Sequence, residues 1–321
     1  MLKPISVPGA PLTLSSMVLG NGVFRPDFPL DAIDRIYQQY RQAGGTCFDT
    51  AHCYSFWLPG GSGCAERALG ACIRRHADRD SVTVITKGGH PAILPDYPRP
   101  DAYLGPERIA LDIAQSLERL GMDAIDLYLL HRDDPRVPVG EIIDMFHGHI
   151  ASGRVRAIGA SNWSVARLEA ANAYAQAHGR RGFVVSQPQF NLGCPNAPRP
   201  TSDPAMRYLD DSDLAWHIRT GLPVVCYSST ANGYFAANGA RGREGYENPT
   251  SRARLQRARL LAAERGVTPG QIALAYVMGQ PFPAVPILGT ADPAHLADAL
   301  AAADVALTPA QVRWLRDGDK A

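Results

Sequence analysis

Four ionisable side chains follow or end apolar segments that have the composition of buried β-strands. Asp49 ends the segment TCFD, Lys87 follows VTVIT and His131 follows IDLYLL, while Tyr54 lies five residues beyond Asp49. In a parallel barrel the carboxyl ends of successive strands meet at one rim, so these groups are predicted to converge there. For any single one of these residues there is a simpler explanation, which is that strand ends are exposed to water and therefore often carry ionisable side chains.

An acid, a phenol, an ammonium and an imidazole together suit the reduction of a carbonyl group. Hydride transfer to the carbonyl carbon builds negative charge on oxygen, which requires a proton donor and electrostatic stabilisation. Tyr54 can donate the proton, and the Lys87 ammonium is expected to lower the pKa of Tyr54. Asp49 is expected to keep Lys87 charged in a partly desolvated pocket. His131 would hydrogen-bond the carbonyl oxygen, and its acid and orienting roles are not separable from sequence.

Eight short apolar segments alternate with stretches of helical period. The segments begin at Met17, Thr46, Val82, Ile125, Val155, Phe183, Pro223 and Pro283. They are almost continuously apolar, as burial on both faces requires, and with the intervening helices they predict an α/β fold, a closed (β/α)8 TIM barrel. The N-terminal stretch ISVPGAPLTLSS predicts a short hairpin at the barrel bottom. Because no stretch has linker composition, residues 1–321 are predicted to form a single domain.

Helix signals and long connections complete this architecture. The segment LGPERIALDIAQSLERLG predicts a helix that begins at Pro106 and stops at Gly121, and VGEIIDMFHGHI predicts a second helix with one apolar face. Three connections, 88–104, 188–204 and 228–251, are unusually long and are predicted to be functional or mobile. The last of them is expected to be a mobile flap over a cofactor.

Composition excludes several classes of partner. Lysine and arginine number 32 against 31 acidic residues, a formal charge of +1, so neither nucleic acid nor an acidic membrane is predicted as a partner. The six cysteines include no CxxC pair and are expected to be reduced thiols. No signal peptide and no membrane span is recognisable, which predicts a soluble cytoplasmic protein that acts on a small molecule. The oligomeric state is not predictable from sequence.

The set Asp49, Tyr54, Lys87 and His131 resembles the catalytic tetrad of the aldo-keto reductase superfamily. The similarity extends over nearly the whole chain, through GASNWS, SQPQFNL and PILGTADPAHLADAL. It implies an NAD(P)-dependent oxidoreductase that reduces an aldehyde or ketone to an alcohol, with Tyr54 as the general acid. The sequence departs from the family after this tyrosine, where YSFWLPGGSG replaces a more common glycine.

The resemblance also implies a cofactor site. Nicotinamide contacts are expected from Ser161, Asn162, Gln187 and the stacking ring of Tyr227, and pyrophosphate contacts from Ser228, Ser229 or backbone amides. Asn162 or Ser164 could also cap the following helix. The segment GNGVFR is interpreted as a turn and not as a dinucleotide-binding loop, because the third glycine is missing.

The segment with Gly289, Thr290, His295 and Asp298 corresponds to the family's adenosine-phosphate site. Gly289 and His295 stand where basic residues are common, and Asp298 stands where an acid contacts adenine. A 2′-phosphate therefore lacks its usual cationic partners, although Thr290 and the helix N-terminus near Asp292 could still bind it. NADP is predicted as the cofactor, with NAD as the close alternative.

The substrate pocket is expected to contain His52, Trp57 and His90, although the histidines could equally be partly exposed loop residues. A sugar or another polar carbonyl compound would suit these side chains. The grouping of His52, Cys53, His90 and His131 has no compact ligand spacing, so no metal site is predicted. Two other functions stay open: a nicotinamide-binding, redox-sensing regulatory subunit with a protein partner, and a lyase in which Lys87 forms a Schiff base.

Overall fold

A short hairpin followed by a closed barrel of parallel strands organises the chain. The computed structural model describes residues 1–92, 97–199 and 203–318. The hairpin strands are β1 (Pro4–Ser6) and β2 (Thr13–Ser15), and the barrel strands are β3 (Val18–Gly20), β4 (Cys47–Asp49), β5 (Thr83–Gly88), β6 (Ile125–Leu130), β7 (Val155–Ser161), β8 (Phe183–Gln187), β9 (Val224–Cys226) and β10 (Ala284–Leu288). Each barrel strand neighbours the next along the chain, and β10 closes on β3. The predicted (β/α)8 barrel is confirmed.

Helices connect the strands. Those of the described residues are α1 (Leu30–Gln42), α2 (Cys64–Arg75), α3 (Pro106–Leu120), α4 (Val139–Ala151), α5 (Val165–Ala177), α6 (Asp211–Thr220), α7 (Arg243–Tyr246), α8 (Pro249–Arg265), α9 (Pro269–Met278), α10 (Pro293–Ala301) and α11 (Pro309–Asp317). As predicted, α3 begins at Pro106 and stops at Gly121, whose positive φ of 67° glycine adopts without strain. None of these helices combines the length and apolar composition that crossing a bilayer requires.

The barrel interior is filled by apolar side chains from the barrel strands. Ile85, Leu127 and Val285 pack there in one cluster with Leu12 and Leu14 of the hairpin region. Because these hairpin residues join the cluster while β2 leads directly into β3, the hairpin covers the amino-terminal end of the barrel, as expected. The opposite end is left for the strand-end residues that carry the chemistry.

The three long connections differ in structure. Residues 93–96 of the first and 200–202 of the second lie outside the described residues, as do 319–321 at the C-terminus. The third, predicted as a mobile flap, contains α7 and the start of α8 and buries Tyr234, Phe235 and Tyr246 in the core between barrel and helices. These aromatic side chains anchor the segment, since pulling them out would expose large apolar surfaces to water.

Candidate active site

Lys87 is held between an acid and a phenol at the carboxyl ends of β4 and β5. Its Nζ donates hydrogen bonds to Asp49 Oδ1 at 2.6 Å, to the Thr50 carbonyl oxygen at 2.8 Å and to Tyr54 Oη at 2.8 Å. The Lys87 side chain is only 1% exposed. All three ammonium hydrogens therefore have acceptors, which fixes the position of the charge. The structure brings these three predicted residues together.

The turn after β3 makes room for the tyrosine ring. A Cβ atom at Gly22 would lie 3.2 Å from Tyr54 Cε2, so a larger residue would press on this ring. The Asn21 amide donates to the Asp49 carbonyl oxygen at 2.7 Å, which ties the turn to β4. Gly22 therefore allows the backbone to lie close to the Tyr54 ring, in agreement with the interpretation of GNGVFR as a turn.

Burial strongly affects the pKa values of Lys87 and Tyr54. Burial lowers the pKa of Lys87, and the adjacent Asp49 carboxylate opposes that effect. The pKa of Tyr54 is raised well above its ordinary value, first by burial and then by Asp49. The effect of Lys87 on the pKa of Tyr54 therefore stays a prediction, while the net pKa is raised because desolvation and the Asp49 carboxylate dominate. Tyr54 is protonated at neutral pH, as a general acid must be.

His131 lies beside the phenol at the carboxyl end of β6. Its ring meets the Tyr54 ring edge to face, with 5.9 Å between centroids. Burial lowers the pKa of His131 well below its ordinary value, so the imidazole is neutral. Its Nδ1 lies 3.3 Å from Cys53 Sγ, a contact that the sequence did not predict. A neutral His131 can orient a carbonyl oxygen through a ring N–H.

The residues predicted to hold the nicotinamide form one hydrogen-bonded group next to Asp49. Gln187 Nε2 donates to Asp49 Oδ2 at 2.8 Å, and Ser161 Oγ donates to the Gln187 carbonyl oxygen at 2.8 Å. Asn162 Nδ2 contacts Ser161 Oγ at 3.0 Å, and Tyr227 Oη donates to Asn162 Oδ1 at 2.7 Å. Amide and hydroxyl groups of this kind supply the donors and acceptors that a carboxamide ligand needs.

The alternative role for this segment, capping of α5, falls to a different residue. Ser164 Oγ accepts a hydrogen bond from the Arg167 amide at the start of α5. Asn162 adopts a positive φ of 61°, which asparagine tolerates better than most residues, and its side chain points to Ser161 and Tyr227. The cap and the predicted cofactor contacts are therefore supplied by separate residues.

A cavity of about 440 Å³ lies beyond the carboxyl ends of β9 and β10. The predicted cofactor residues that line it are Ser229, Gly289, Thr290, His295 and Asp298. Ser228 is not among the lining residues, and its carbonyl oxygen accepts from Asn191 Nδ2 at 3.0 Å. The cavity also contains Arg241, which comes from the connection between β9 and α7.

Two acidic residues near this cavity already have partners. Asp292 Oδ1 accepts from the amides of Ala294 and His295 at 2.8 and 3.3 Å, so the N-terminus of α10 is capped by a carboxylate. A 2′-phosphate at this N-terminus, one of the expected arrangements, would face that negative charge. Asp298 accepts from Gln271 Nε2 at 2.8 Å, which ties it to α9.

The predicted pocket residues lie in different surroundings. His52 is 3% exposed and bonded through both ring nitrogens, from Nε2 to Gln115 Oε1 at 2.7 Å and from Nδ1 to Tyr97 Oη at 2.9 Å. It therefore braces the loop behind the pocket and has no ring nitrogen left for a substrate. His90 is buried beside His131, with 4.9 Å between ring centroids, and Trp57 is 49% exposed.

The model of the aldo/keto reductase family matches residues 17–318, which includes every barrel strand and each residue of the tetrad. The chain belongs to this family. Its (β/α)8 barrel is the fold that the resemblance implied. Membership makes this aldo/keto reductase an oxidoreductase of small carbonyl compounds.

Relatives extend over most of this reductase's length. The uncharacterized oxidoreductase YrpG of Bacillus subtilis is 29% identical over 95% of this chain and 92% of its own. The aryl-alcohol dehydrogenase [NADP(+)] of Phanerodontia chrysosporium is 25% identical over 96% of this chain and 82% of its own. A putative voltage-gated potassium channel subunit beta of Schizosaccharomyces pombe is 27% identical over 79% of this chain and 74% of its own.

Sequence reasoning missed three polar residues of this reductase's cleft. Arg132 is 7% exposed, donates from Nη1 to the His131 carbonyl oxygen at 2.7 Å and pairs through Nε with Asp203 Oδ2 at 2.7 Å. Asn21 Oδ1 is buried without a hydrogen-bond partner among the described residues. Arg241 lines the cavity described above. Only the HR pair after β6 could have drawn attention to Arg132 from sequence, while Arg241 is one of two arginines in the 228–251 connection.

Proposed function

We propose that this chain reduces an aldehyde or ketone to an alcohol with hydride from NADPH, and that Tyr54 is the proton donor. The observation that carries the proposal is the 2.8 Å contact between Lys87 Nζ and Tyr54 Oη, with Asp49 on the opposite side of the ammonium. A protonated phenol next to a fixed buried cation is suited to deliver a proton to an oxygen that gains negative charge.

Each member of the tetrad has one task in this reaction. When bound, the reduced nicotinamide supplies hydride to the carbonyl carbon. Tyr54 transfers the proton of its Oη to the carbonyl oxygen, and the Lys87 ammonium stabilises the resulting phenolate through the hydrogen bond it already makes. Asp49 keeps Lys87 charged despite its burial. His131 orients the carbonyl oxygen beside Tyr54.

The residues around Asp49 fit a nicotinamide nucleoside. Ser161, Asn162 and Gln187 offer amide and hydroxyl groups to the carboxamide, and Tyr227 offers a ring face. Asn21 Oδ1 is a buried acceptor without a partner in the described part of the chain, and a ligand hydroxyl would satisfy it. The cavity at β10 is lined by Ser229, which lies two residues beyond Tyr227 in the chain.

Arg241 supports NADP as the cofactor. It lines the same cavity as Gly289, Thr290 and His295, where the sequence lacks the common basic residues. A guanidinium presents several donors in a plane, which suits recognition of a phosphate. We infer that Arg241 binds the 2′-phosphate and compensates for the missing side-chain charge at Gly289.

Replacing Arg241 with glutamine is expected to weaken NADPH binding about tenfold or more, because a hydrogen-bonded charge pair is lost. NADH binding should hardly change. Titration of both nucleotides, followed by quenching of the protein's four tryptophans, measures the two affinities. Arg243→Gln is the matched control, since Arg243 is an exposed arginine of the same segment that lies outside the cavity lining. Equal losses for NADPH and NADH would contradict the assignment.

The rate of carbonyl reduction is expected to stay constant from about pH 6 to about pH 9, because Tyr54 and His131 keep their protonation states over this range. Tyr54 has a raised pKa, so the protonated acid is lost only as the pH rises beyond that pKa. Oxidation of the alcohol needs the phenolate and should accelerate steadily with pH. A profile of kcat for both directions tests this, and a sigmoidal loss of reduction with a midpoint near neutral pH would contradict it.

The surroundings of His131 favour a polar substrate. The buried Arg132 and the partly buried Asp203 form an ion pair next to it, so hydrogen-bond donors and acceptors lie near the proposed carbonyl site. We propose a sugar or another polar carbonyl compound as the substrate class. A panel of aldoses, hydroxy-aldehydes and apolar aryl aldehydes, monitored by NADPH absorbance, tests this, and a higher kcat/KM for the apolar compounds would contradict it.

A regulatory function is the second candidate, and the likeness to the potassium channel subunit beta protein favours it. Tight cofactor binding without turnover on any carbonyl of the panel, together with recovery of a protein partner, would support that function. The lyase alternative fits the structure less well. Lys87 is nearly inaccessible and donates to three acceptors, which an attacking amine could not do.

A further inference from the structure

Three metal-ligating side chains from consecutive βα units meet beside the tetrad. Cys53 lies in the turn after β4, His90 follows β5 and His131 follows β6, and they are 3%, 3% and 8% exposed. The Cys53 sulfur and one nitrogen of each histidine lie within 4.8 Å of one another. The cluster belongs to no step of the proposed reaction apart from the orienting role of His131.

The separations suit a tetrahedral ion. Cys53 Sγ and His131 Nδ1 lie 3.3 Å apart. Zinc bonds of about 2.3 Å to sulfur and about 2.0 Å to nitrogen, at a tetrahedral angle, place these two atoms about 3.5 Å apart. The other ligand-atom separations, which are at most 4.8 Å, have to shorten by up to about 1.5 Å for these bond lengths, which rotation of the imidazole rings can supply.

His90 already has the tautomer that a ligand needs. Its Nδ1 lies 2.7 Å from the Pro91 carbonyl oxygen, and because a carbonyl can only accept, Nδ1 carries the proton. Nε2 of the neutral ring therefore keeps its lone pair. A metal-bound histidine commonly donates its other N–H to a carbonyl oxygen in this way, so the supporting hydrogen bond exists before any ion binds.

We propose that Cys53, His90 and His131 form a binding site for Zn²⁺, with a fourth position open to a water or a substrate oxygen. Binding breaks the Cys53 S–H bond and forms a Zn–S bond, the proton leaves to solvent, and no electrons are transferred. The positive charges of Arg132 and Lys87 act on the Cys53 sulfur and would repel a zinc ion bound there. The site should therefore bind zinc more weakly than a structural four-ligand site does.

Zinc at this site is expected to inhibit carbonyl reduction, a consequence that rests on the proposed function. The ion would hold the His131 ring in a ligating orientation and occupy space next to Tyr54. Binding itself does not depend on cofactor or substrate. A failure of the metal site and a failure of the reductase assignment are therefore separate results.

Titration of the cofactor-free protein with Co²⁺ tests the site directly. We expect a near-ultraviolet absorption band from thiolate-to-cobalt charge transfer, which added Zn²⁺ displaces. Cys53→Ser should abolish this band, and His90→Asn should weaken Co²⁺ binding by at least about 100-fold, because losing a ligand costs no less than losing a residue that only orients one. Cys64→Ser is the matched control, since Cys64 lies at the start of α2 and outside the cluster.

Wild-type protein without a thiolate band at saturating Co²⁺ would overturn the proposal. A band that persists in Cys53→Ser, or that disappears in Cys64→Ser, would overturn it as well, because the ion would then bind elsewhere. Circular dichroism of each variant checks folding, and the His90→Asn titration decides the matter if Cys53→Ser does not fold. A rise in Tm with Zn²⁺ in the wild type but not in His90→Asn would give independent support.

Discussion

Replacing Tyr54 with phenylalanine is expected to lower kcat for carbonyl reduction about 1000-fold, the size of effect that a positioned general acid supplies. The substitution removes only the hydroxyl that contacts Lys87 Nζ at 2.8 Å. The ring that packs against Gly22 and His131 is kept, so the shape of the cleft should be preserved. Single-turnover measurement of NADPH oxidation on a good carbonyl substrate gives the rate of the chemical step.

Two further measurements make this test specific. NADPH affinity should be unchanged in Tyr54→Phe, because the residues proposed to hold the cofactor are other side chains. The residual rate of Tyr54→Phe should be much lower than the wild-type rate, and its pH profile should also show no inflection. Near-normal turnover in this variant would refute Tyr54 as the proton donor and would direct attention to His131.

Replacing Lys87 with methionine is expected to reduce kcat by at least about 100-fold and to destabilise the protein by about 3 kcal/mol. The rate falls because the phenolate formed on Tyr54 loses its cation. Stability falls because Asp49, which is 1% exposed, is left as a buried carboxylate without its ion-pair partner. Urea unfolding and kcat measure the two effects on the same preparation.

The two effects of Lys87→Met can be separated. In Lys87→Met with Asp49→Asn the buried charge is gone, so stability should largely return while activity stays low. Arg79→Met is a control for the loss of a buried ion pair, because Arg79 pairs with the buried Asp126 through Nη2 at 2.8 Å at the opposite end of the barrel. Asp126 keeps a second contact with Arg156 Nη1 at 2.8 Å, so the loss of stability should be smaller than in Lys87→Met. Arg79→Met should lose stability but keep normal kcat. Stability of Lys87→Met equal to that of the wild type would show that the ion pair contributes nothing net to folding.

Much of the fold could be predicted because its signals are local. A strand buried on both faces needs a run of apolar residues, and a helix start or stop needs a few residues such as Pro106 and Gly121. Each predicted strand segment overlaps one barrel strand of the structure, although β5 continues two residues beyond the predicted segment, to Gly88, and β7 one residue beyond it, to Ser161. The mobile flap over residues 228–251 stays a prediction, whereas the burial of Tyr234 and Phe235 in this segment was not predictable, because it depends on distant partners in the core.

The proximity of the proposed catalytic residues was also predictable from sequence, because a barrel places successive strand ends side by side. Asp49, Lys87 and His131 needed only their positions at the ends of three consecutive strands to be recognised as neighbours. Their electrostatics were not readable. The raised pKa of Tyr54 results from burial by the assembled barrel, and desolvation is a property of the whole surrounding volume and not of sequence neighbours.

By itself the sequence determined the barrel, the family and the tetrad, since each depends on short patterns at regular spacing. Only the tertiary structure decided which side chains from distant segments meet. It placed Arg241 at the cavity near Gly289, enclosed both nitrogens of His52 in hydrogen bonds, and gathered Cys53 and His90 around His131. The physical reason is that contact, desolvation and ligand geometry arise between residues that are neighbours only after the strands have closed into a barrel.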